Sequence, residues 1–244
     1  MTYTITREET ADGVRLQAVH DVEVDWSDQT GWFDPQKVQS AVTLIGCGGI
    51  GSNVAFELIG MGVKRFELYD DDKVEPRNLA SQKAFRHRDL YGGKPEKLAE
   101  VLFEYGAEEV VVHNRYLTED DIIENSLVIG GVDSMKSRQI ILKVVENSPN
   151  VELYLDGRLD KLVAQILAVE TLDLDWYRDE WMYSDEEAST TVDCTMRAIV
   201  FPATFLAATM CRHVSNWYLG LPICRFIQVD TANMEILKIG DIEE

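Results

Sequence analysis

Three glycines define the chemistry open to this chain. Gly46, Gly48 and Gly51 form G-x-G-x-x-G, placed between the apolar run AVTLIG (41–46) and the stretch IGSNVAFELIGM (50–61). In that spacing the first glycine permits a tight turn, the second lets a phosphate approach the backbone, and the third packs helix against strand. The amides at the helix N-terminus that follows then meet an anion. Asp70 comes 19 residues after Gly51, at the end of the next strand, where an acid takes ribose hydroxyls. The pattern reads as a nucleotide site. On its own it leaves NAD, FAD and ATP open, and glycines serving only a strand–helix turn are the alternative.

Other reactive residue types form no constellation. The cysteines at 47, 194, 211 and 224 contain no C-x-x-C pair, so no structural zinc is expected. Cys47 lies inside the glycine loop, where a small side chain is needed, and Cys211 and Cys224 read as core. His20, His87, His113 and His213 form no H-x-x-x-H. Asp185-Glu186-Glu187 reads as a solvated acidic loop rather than as paired acid–base carboxylates.

The elements that must position the glycine loop follow from short buried runs alternating with helical spacing. Strands are expected at 41–46, 64–70, 109–115, 126–133 and 151–158. Helices are expected at 50–61, about 95–105 and after 133. Strand, helix, strand repeated from 41 to 158 predicts an open α/β parallel sheet with helices on both faces. Residues 1–40 read as a polar and aromatic extension with a turn at TGWFDP. LVAQILAVE (162–170) alternates like an exposed strand, 171–193 reads as an acidic loop, and a helix follows Pro202 over about 203–218. CRFIQVD and MEILKIG read as an antiparallel addition. With no repeat or linker, one domain is expected over 1–244: an extension (1–40), a nucleotide-binding core (41–160), and C-terminal strands and helix (161–244).

Composition excludes some partners. The chain has 23 Lys plus Arg against 43 Asp plus Glu, for a net charge of −20. Nucleic acid and anionic membrane surfaces are held by clustered lysine and arginine, so neither is expected. The N-terminal residues carry acids and no apolar core, and no run approaches the ~20 apolar residues of a membrane span. A cytoplasmic location is expected.

The glycine loop reads in full Gly46-Cys47-Gly48-Gly49-Ile50-Gly51-Ser52, and it is followed by Asp70-Asp71-Asp72-Lys73-Val74-Glu75-Pro76-Arg77-Asn78-Leu79-Ala80-Ser81-Gln82. A third segment reads Val128-Ile129-Gly130-Gly131-Val132-Asp133-Ser134, with Arg138. Together these resemble the ThiF/MoeB and ubiquitin-activating enzyme family, with its loop G-x-G-G-x-G-S, its D-x-D-x-V-x-x-x-N-L-x-R-Q and its strand ending in aspartate. The resemblance implies a Rossmann-like, mostly parallel sheet. It also implies ATP-dependent adenylation of the C-terminal carboxylate of a ubiquitin-like or sulfur-carrier protein ending in Gly-Gly, by a homodimer. Carried over by motif, Gly46, Gly48, Gly49, Gly51 and Ser52 cradle the nucleotide and Asp70 binds ribose. Asp72 lies near the nucleotide, Asn78 and Gln82 face the phosphates, and Asp133 holds Mg²⁺.

The sequence departs from that pattern in two places. Ser81 stands where the family carries arginine, and serine cannot replace a bidentate phosphate ligand. Arg77, Arg86 and Arg88 are the nearby stand-ins. Glu96 stands at the lysine of G-x-P-K, which leaves Lys94 or Lys97, and Lys94 is favoured by its place before Pro95. Arg158, after Asp-Gly, is expected to reach the nucleotide or the carboxylate, with a salt bridge as the alternative. Arg15 corresponds weakly to an N-terminal arginine that relatives lend across a dimer. Cys194-Thr195-Met196-Arg197 resembles the family's nucleophilic cysteine context, which implies thioester transfer. A buried structural cysteine is the alternative. Beside the leading reading stand a catalytically impaired nucleotide-binding member and a Rossmann oxidoreductase using NAD or FAD.

Overall fold

A computed structural model describes residues 3–35, 38, 40–186 and 199–241. The strands are β1 (Tyr3–Glu9), β2 (Val14–His20), β3 (Val42–Ile45), β4 (Arg65–Tyr69), β5 (Glu109–His113), β6 (Leu127–Gly130), β7 (Leu153–Asp160), β8 (Val163–Glu170), β9 (Cys224–Asp230) and β10 (Glu235–Asp241). The helices are α1 (Gly51–Gly60), α2 (Lys94–Glu104), α3 (Met135–Asn147), α4 (Leu174–Trp181) and α5 (Val200–Leu219).

All ten strands lie in one sheet, ordered β1-β2-β5-β4-β3-β6-β7-β8-β9-β10. The central five, β5-β4-β3-β6-β7, pair in parallel. Their order is the 3-2-1-4-5 order of a doubly wound sheet. β3 and β6 are buried at every residue, as apolar strands covered on both faces must be. From β3 the chain winds outward through β4 to β5, and from β6 it winds the other way to β7. The switch between the two directions falls between β3 and β6.

Helices cover both faces. Val54 and Leu58 of α1, Leu98 and Leu102 of α2, and Leu206, Met210 and Val214 of α5 share one core. Ile141, Leu142 and Val145 of α3 and Tyr177 of α4 share the other with Val128 and Tyr154. Local signals start and stop these helices. Pro95 sits in the first turn of α2, Ser134 caps α3 by accepting the Ser137 amide, and Gly220 ends α5 in the left-handed conformation.

Several expectations need correction. Residues 1–40 are not merely an extension: β1 and β2 form a hairpin that joins β5 antiparallel. The antiparallel strands therefore flank the parallel core on both sides, not on the C-terminal side alone. The hairpin is docked through its turn, where Gly13 lies so close that an added Cβ would sit 2.6 Å from the Val112 carbonyl oxygen. His113 bridges the Asp12 carbonyl and the Glu67 carboxylate, at 3.1 and 3.0 Å. β8 is not exposed, because β7 and β9 pair with it on either side. The acidic stretch after 170 contains α4, whose Tyr177 ring is fully buried. α5 starts two residues before Pro202, which falls in its first turn, where a missing amide is tolerated. Among the described residues no helix is long and apolar enough to cross a membrane.

Candidate nucleotide-binding site

The glycine loop lies at the C-terminal ends of β3 and β6, at the switch point where open α/β sheets bind ligands. Its shape demands glycine at two positions. Gly46 has φ +91°, and a Cβ added at Gly51 would lie 1.8 Å from the Gly46 carbonyl oxygen. At Gly48 and Gly49 a Cβ would meet nothing within 4 Å, so the loop tip faces open space. The loop is held from below. Ser52 Oγ donates to the Gly48 carbonyl at 2.6 Å, and Asn53 Nδ2 donates to the carbonyls of Gly49 at 2.6 Å and Ser81 at 3.2 Å. The amides of Gly48, Gly49 and Ile50 donate to no backbone carbonyl among the described residues. Free amides at a helix N-terminus bind anions.

Asp70 directly follows β4 and is buried against this loop. Its Oδ2 accepts the Cys47 amide at 2.7 Å and its Oδ1 accepts the Asp72 amide at 2.8 Å. Burial pushes its carboxyl above the usual range, against the opposing pull of Lys94. Burial likewise keeps the Cys47 thiol well above its ordinary value, which agrees with a structural role.

Lys94 is 6% exposed at the start of α2, and its Nζ lies 2.6 Å from Asp72 Oδ2. Tyr116 donates weakly to the other Asp72 oxygen, at 3.4 Å. The structure thus brings Asp70, Asp72 and Lys94 to the glycine loop. Lys97 instead pairs with Glu100 at 2.6 Å. Glu96 accepts from Asn114 Nδ2, away from Lys94.

The second motif folds into a short 3₁₀ turn, Pro76–Ala80, with Asn78 spent locally as acceptor of the Glu75 amide at 2.8 Å. Ser81 is 2% exposed and Gln82 is buried beside it. Gln82 Oε1 and Asn53 Oδ1 are buried with no partner among the described residues. Such orphaned acceptors fit a site that gains its donors from a ligand or water. None of the arginine stand-ins is free. Arg77 is 82% exposed and pairs with Glu75 at 2.5 Å, while Arg86 and Arg88 both bind Glu104.

Asp133 lies in the loop between β6 and α3, exposed and with no ion pair among the described residues. No cluster of three metal-ligating side chains occurs among them either. A single exposed carboxylate fits Mg²⁺ only where phosphate oxygens complete the shell.

Arg158 points elsewhere. Its Nε lies 2.6 Å from Asp156 Oδ2, and its other nitrogens reach Tyr177, Trp181 and Tyr183. Arg138 holds the second Asp156 oxygen at 3.0 Å. Arg15 is half a hairpin away, 4.0 Å from Glu8. Cys194 and Glu187 lie outside the described residues. Sequence reading missed two participants. Asn53 joins the glycine loop to Ser81, a helical i, i+4 reach that only the fold completes. Asp185, read as solvated, accepts the Met135 amide at 2.6 Å.

Comparison with known proteins places these features. The adenylyltransferase and sulfurtransferase MOCS3 of Aedes aegypti is 29% identical over 108 residues, 42% of this chain and 25% of that protein. Ubiquitin-like modifier-activating enzyme 7 of Homo sapiens is 33% identical over 96 residues, 38% of this chain and 10% of that protein. The chain therefore spans a quarter or less of the length of these two relatives. E. coli MccB, crystallised with AMPCPP and MccA, superposes with a TM-score of 0.63 at 18% identity, covering 84% of this chain and 65% of that one. The ThiF family model matches residues 36–237, from the approach to β3 into β10, and the chain belongs to the ThiF family.

Proposed function

We propose that this chain is an ATP-dependent adenylyltransferase that activates the C-terminal carboxylate of a small carrier protein or peptide. The observation that carries the reading is the grouping at one switch point of free loop amides, buried Asp70 and the buried Lys94. In the reaction a carboxylate oxygen of the substrate attacks the α-phosphorus of ATP. The bond from that phosphorus to the β-phosphate oxygen breaks, and pyrophosphate leaves with the electron pair.

The loop amides would hold phosphate oxygens, Asp70 the ribose, and Lys94 the charge that develops at the α-phosphate once it leaves Asp72. Asn78 and Gln82 would line the phosphate side through their side-chain N–H groups, while the Gln82 and Asn53 oxygens would accept from water or a nucleotide hydroxyl. Mg²⁺, bound by Asp133 and phosphate oxygens, would supply charge neutralisation. The substrate we favour is a ubiquitin-like or sulfur-carrier protein ending in Gly-Gly; the name of one relative supports a ubiquitin-like protein, and the MccB complex with MccA keeps other substrates in view. Thioester transfer to Cys194, a homodimer and a cytoplasmic location complete the reading, with 1–244 acting as one unit.

ATP–pyrophosphate exchange against a panel of Gly-Gly proteins and short peptides is the test. Substrate-dependent exchange supports the reading; ATP binding without exchange for any substrate overturns adenylation. A carrier adduct that is cleaved by thiols and lost in Cys194→Ala would support the thioester, and one that survives the substitution would exclude it. One observation favours a nucleotide-binding member without adenylation: Ser81 is buried where the family has arginine, and all three nearby arginines are engaged by glutamates.

A further inference from the structure

The loop that presents Asp133 is tied down by one buried guanidinium. Arg138 lies in the first turn of α3, and its Nη2 donates to the Val132 carbonyl at 2.6 Å. Its Nη1 donates to the Ser134 carbonyl at 3.3 Å. Val132 and Ser134 are the residues on either side of Asp133. The same side chain reaches back into the sheet, where Nε lies 3.0 Å from Asp156 Oδ1 and Nη2 lies 3.2 Å from the Gly157 carbonyl. A rigid, planar fork of donors thus joins β7 to both sides of the Asp133 loop.

Charge pairing alone does not account for Arg138. Asp156 already has Arg158 Nε at 2.6 Å and the Tyr177 hydroxyl at 2.9 Å. One carboxylate and one guanidinium make a neutral pair, so a second buried cation is surplus to it. What Arg138 adds is its hold on the loop. The other fixed points of that loop lie on the same two flanks. The Gly131 amide donates to the Ile45 carbonyl at 2.8 Å, and Ser134 Oγ accepts the Ser137 amide at 3.1 Å. Gly131 also packs on the glycine loop, since a Cβ there would lie 2.9 Å from the Gly51 amide nitrogen. Between these flanks the Asp133 carboxylate is exposed and has no partner among the described residues.

We propose that Arg138 is the positioning residue for Asp133: it fixes the backbone on both sides of that carboxylate, so that Asp133 meets the divalent cation carried by the nucleotide phosphates. The inference rests on the nucleotide reading of the same crevice. Mg²⁺ demands near-ideal octahedral geometry, and a lone carboxylate can contribute to it only from a fixed place. Groups that orient a metal ligand from behind are worth about 10–100-fold in metal affinity. Asp133 has no side-chain partner to orient it, so its placement depends on the backbone that Arg138 holds.

The test is calorimetric titration with ATP, with and without Mg²⁺, on the full chain and on Asp133→Asn, Arg138→Lys and Arg138→Met. The readout is the ratio of the two affinities, which is the gain from the metal. Mg²⁺ should tighten binding to the parent, and the gain should vanish in Asp133→Asn. In Arg138→Lys it should fall about tenfold, or to the Asp133→Asn value, while ATP binding without Mg²⁺ stays close to that of the parent. Lysine keeps a charge beside Asp156 but cannot span both carbonyls. Arg138→Met leaves Asp156 paired with Arg158, should lower the gain at least as far, and serves if Arg138→Lys fails to fold. A merely structural Arg138 would lower the melting temperature and weaken ATP binding alike with and without metal. A gain unchanged in both Arg138 variants therefore overturns the positioning role and leaves the nucleotide reading standing. No ATP binding by the parent overturns the nucleotide reading. ATP binding with no gain from Mg²⁺ overturns the role given to Asp133, and the proposal falls in either case.

Discussion

Asp156→Asn isolates the energetics of the buried cluster that holds Arg158. Asp156 is 0% exposed and is shared by Arg138 Nε at 3.0 Å, Arg158 Nε at 2.6 Å and the Tyr177 hydroxyl at 2.9 Å. One carboxylate thus neutralises two guanidiniums, both almost fully buried. Burial alone would raise its pKa, but the two arginines outweigh it and hold the carboxyl below the usual range. Asparagine keeps the shape and one acceptor oxygen but leaves both cations without an anion. Breaking a buried pair in this way costs about 3–5 kcal/mol, or roughly 6–20 °C in Tm for a chain of this size. Urea unfolding followed by tryptophan fluorescence would measure it, since Trp181 accepts from this cluster through its carbonyl. Asp156→Asn combined with Arg158→Met removes one orphaned charge and should recover part of the loss. A single-variant loss below about 1 kcal/mol, or a double-variant loss equal to the sum of the two, would refute the charge-pairing account. The sign with pH follows from the lowered pKa. The stabilisation is present above the unfolded carboxylate value and is lost as pH falls through the lower folded value, so the variant and the parent should converge in strong acid.

The remaining predictions concern the crevice itself. Lys94→Met should lower pyrophosphate exchange about 100-fold or more, whereas Lys97→Met should change it less than about threefold, because only Lys94 is buried beside Asp72. Gly51→Ala should cost the fold at least about 3 kcal/mol, since its Cβ meets a backbone oxygen that cannot yield, while Gly48→Ala should melt within a few degrees of the parent and weaken ATP binding. Ser81→Arg should destabilise by about 1–3 kcal/mol without raising exchange, because the site is closed around Ser81 and Asn53 holds its carbonyl. Thermal melts and calorimetric titration with ATP separate these outcomes.

Local rules made much of this protein legible from its sequence. Gly46 and Gly51 are required by backbone geometry within six residues, so spacing alone identifies the turn and the helix that follows. β3 and β6 announce themselves as short, mostly apolar runs, broken in β3 only by Thr43, and that pattern arises when both faces of a strand are covered. Lys94 before Pro95 likewise marks a helix start that the chain uses. Tertiary structure decided what depends on contacts distant in sequence. The N-terminal hairpin gave no strong periodic signal because its outer strand is largely solvated, and its place beside β5 is set by backbone pairing and by Gly13 against Val112. Whether a charged residue meets ligand or protein is also a matter of distant partners. Arg158 had an acid two positions before it in sequence, but only the arrival of Tyr177 and Trp181 from α4, and of Tyr183 just after it, encloses it. Asp185 looked like one more solvated acid in a chain of charge −20, and the fold alone brings it to the first amides of α3. Spacing fixes what the backbone can do over a few residues; charge pairing over 20 to 50 residues is fixed by packing.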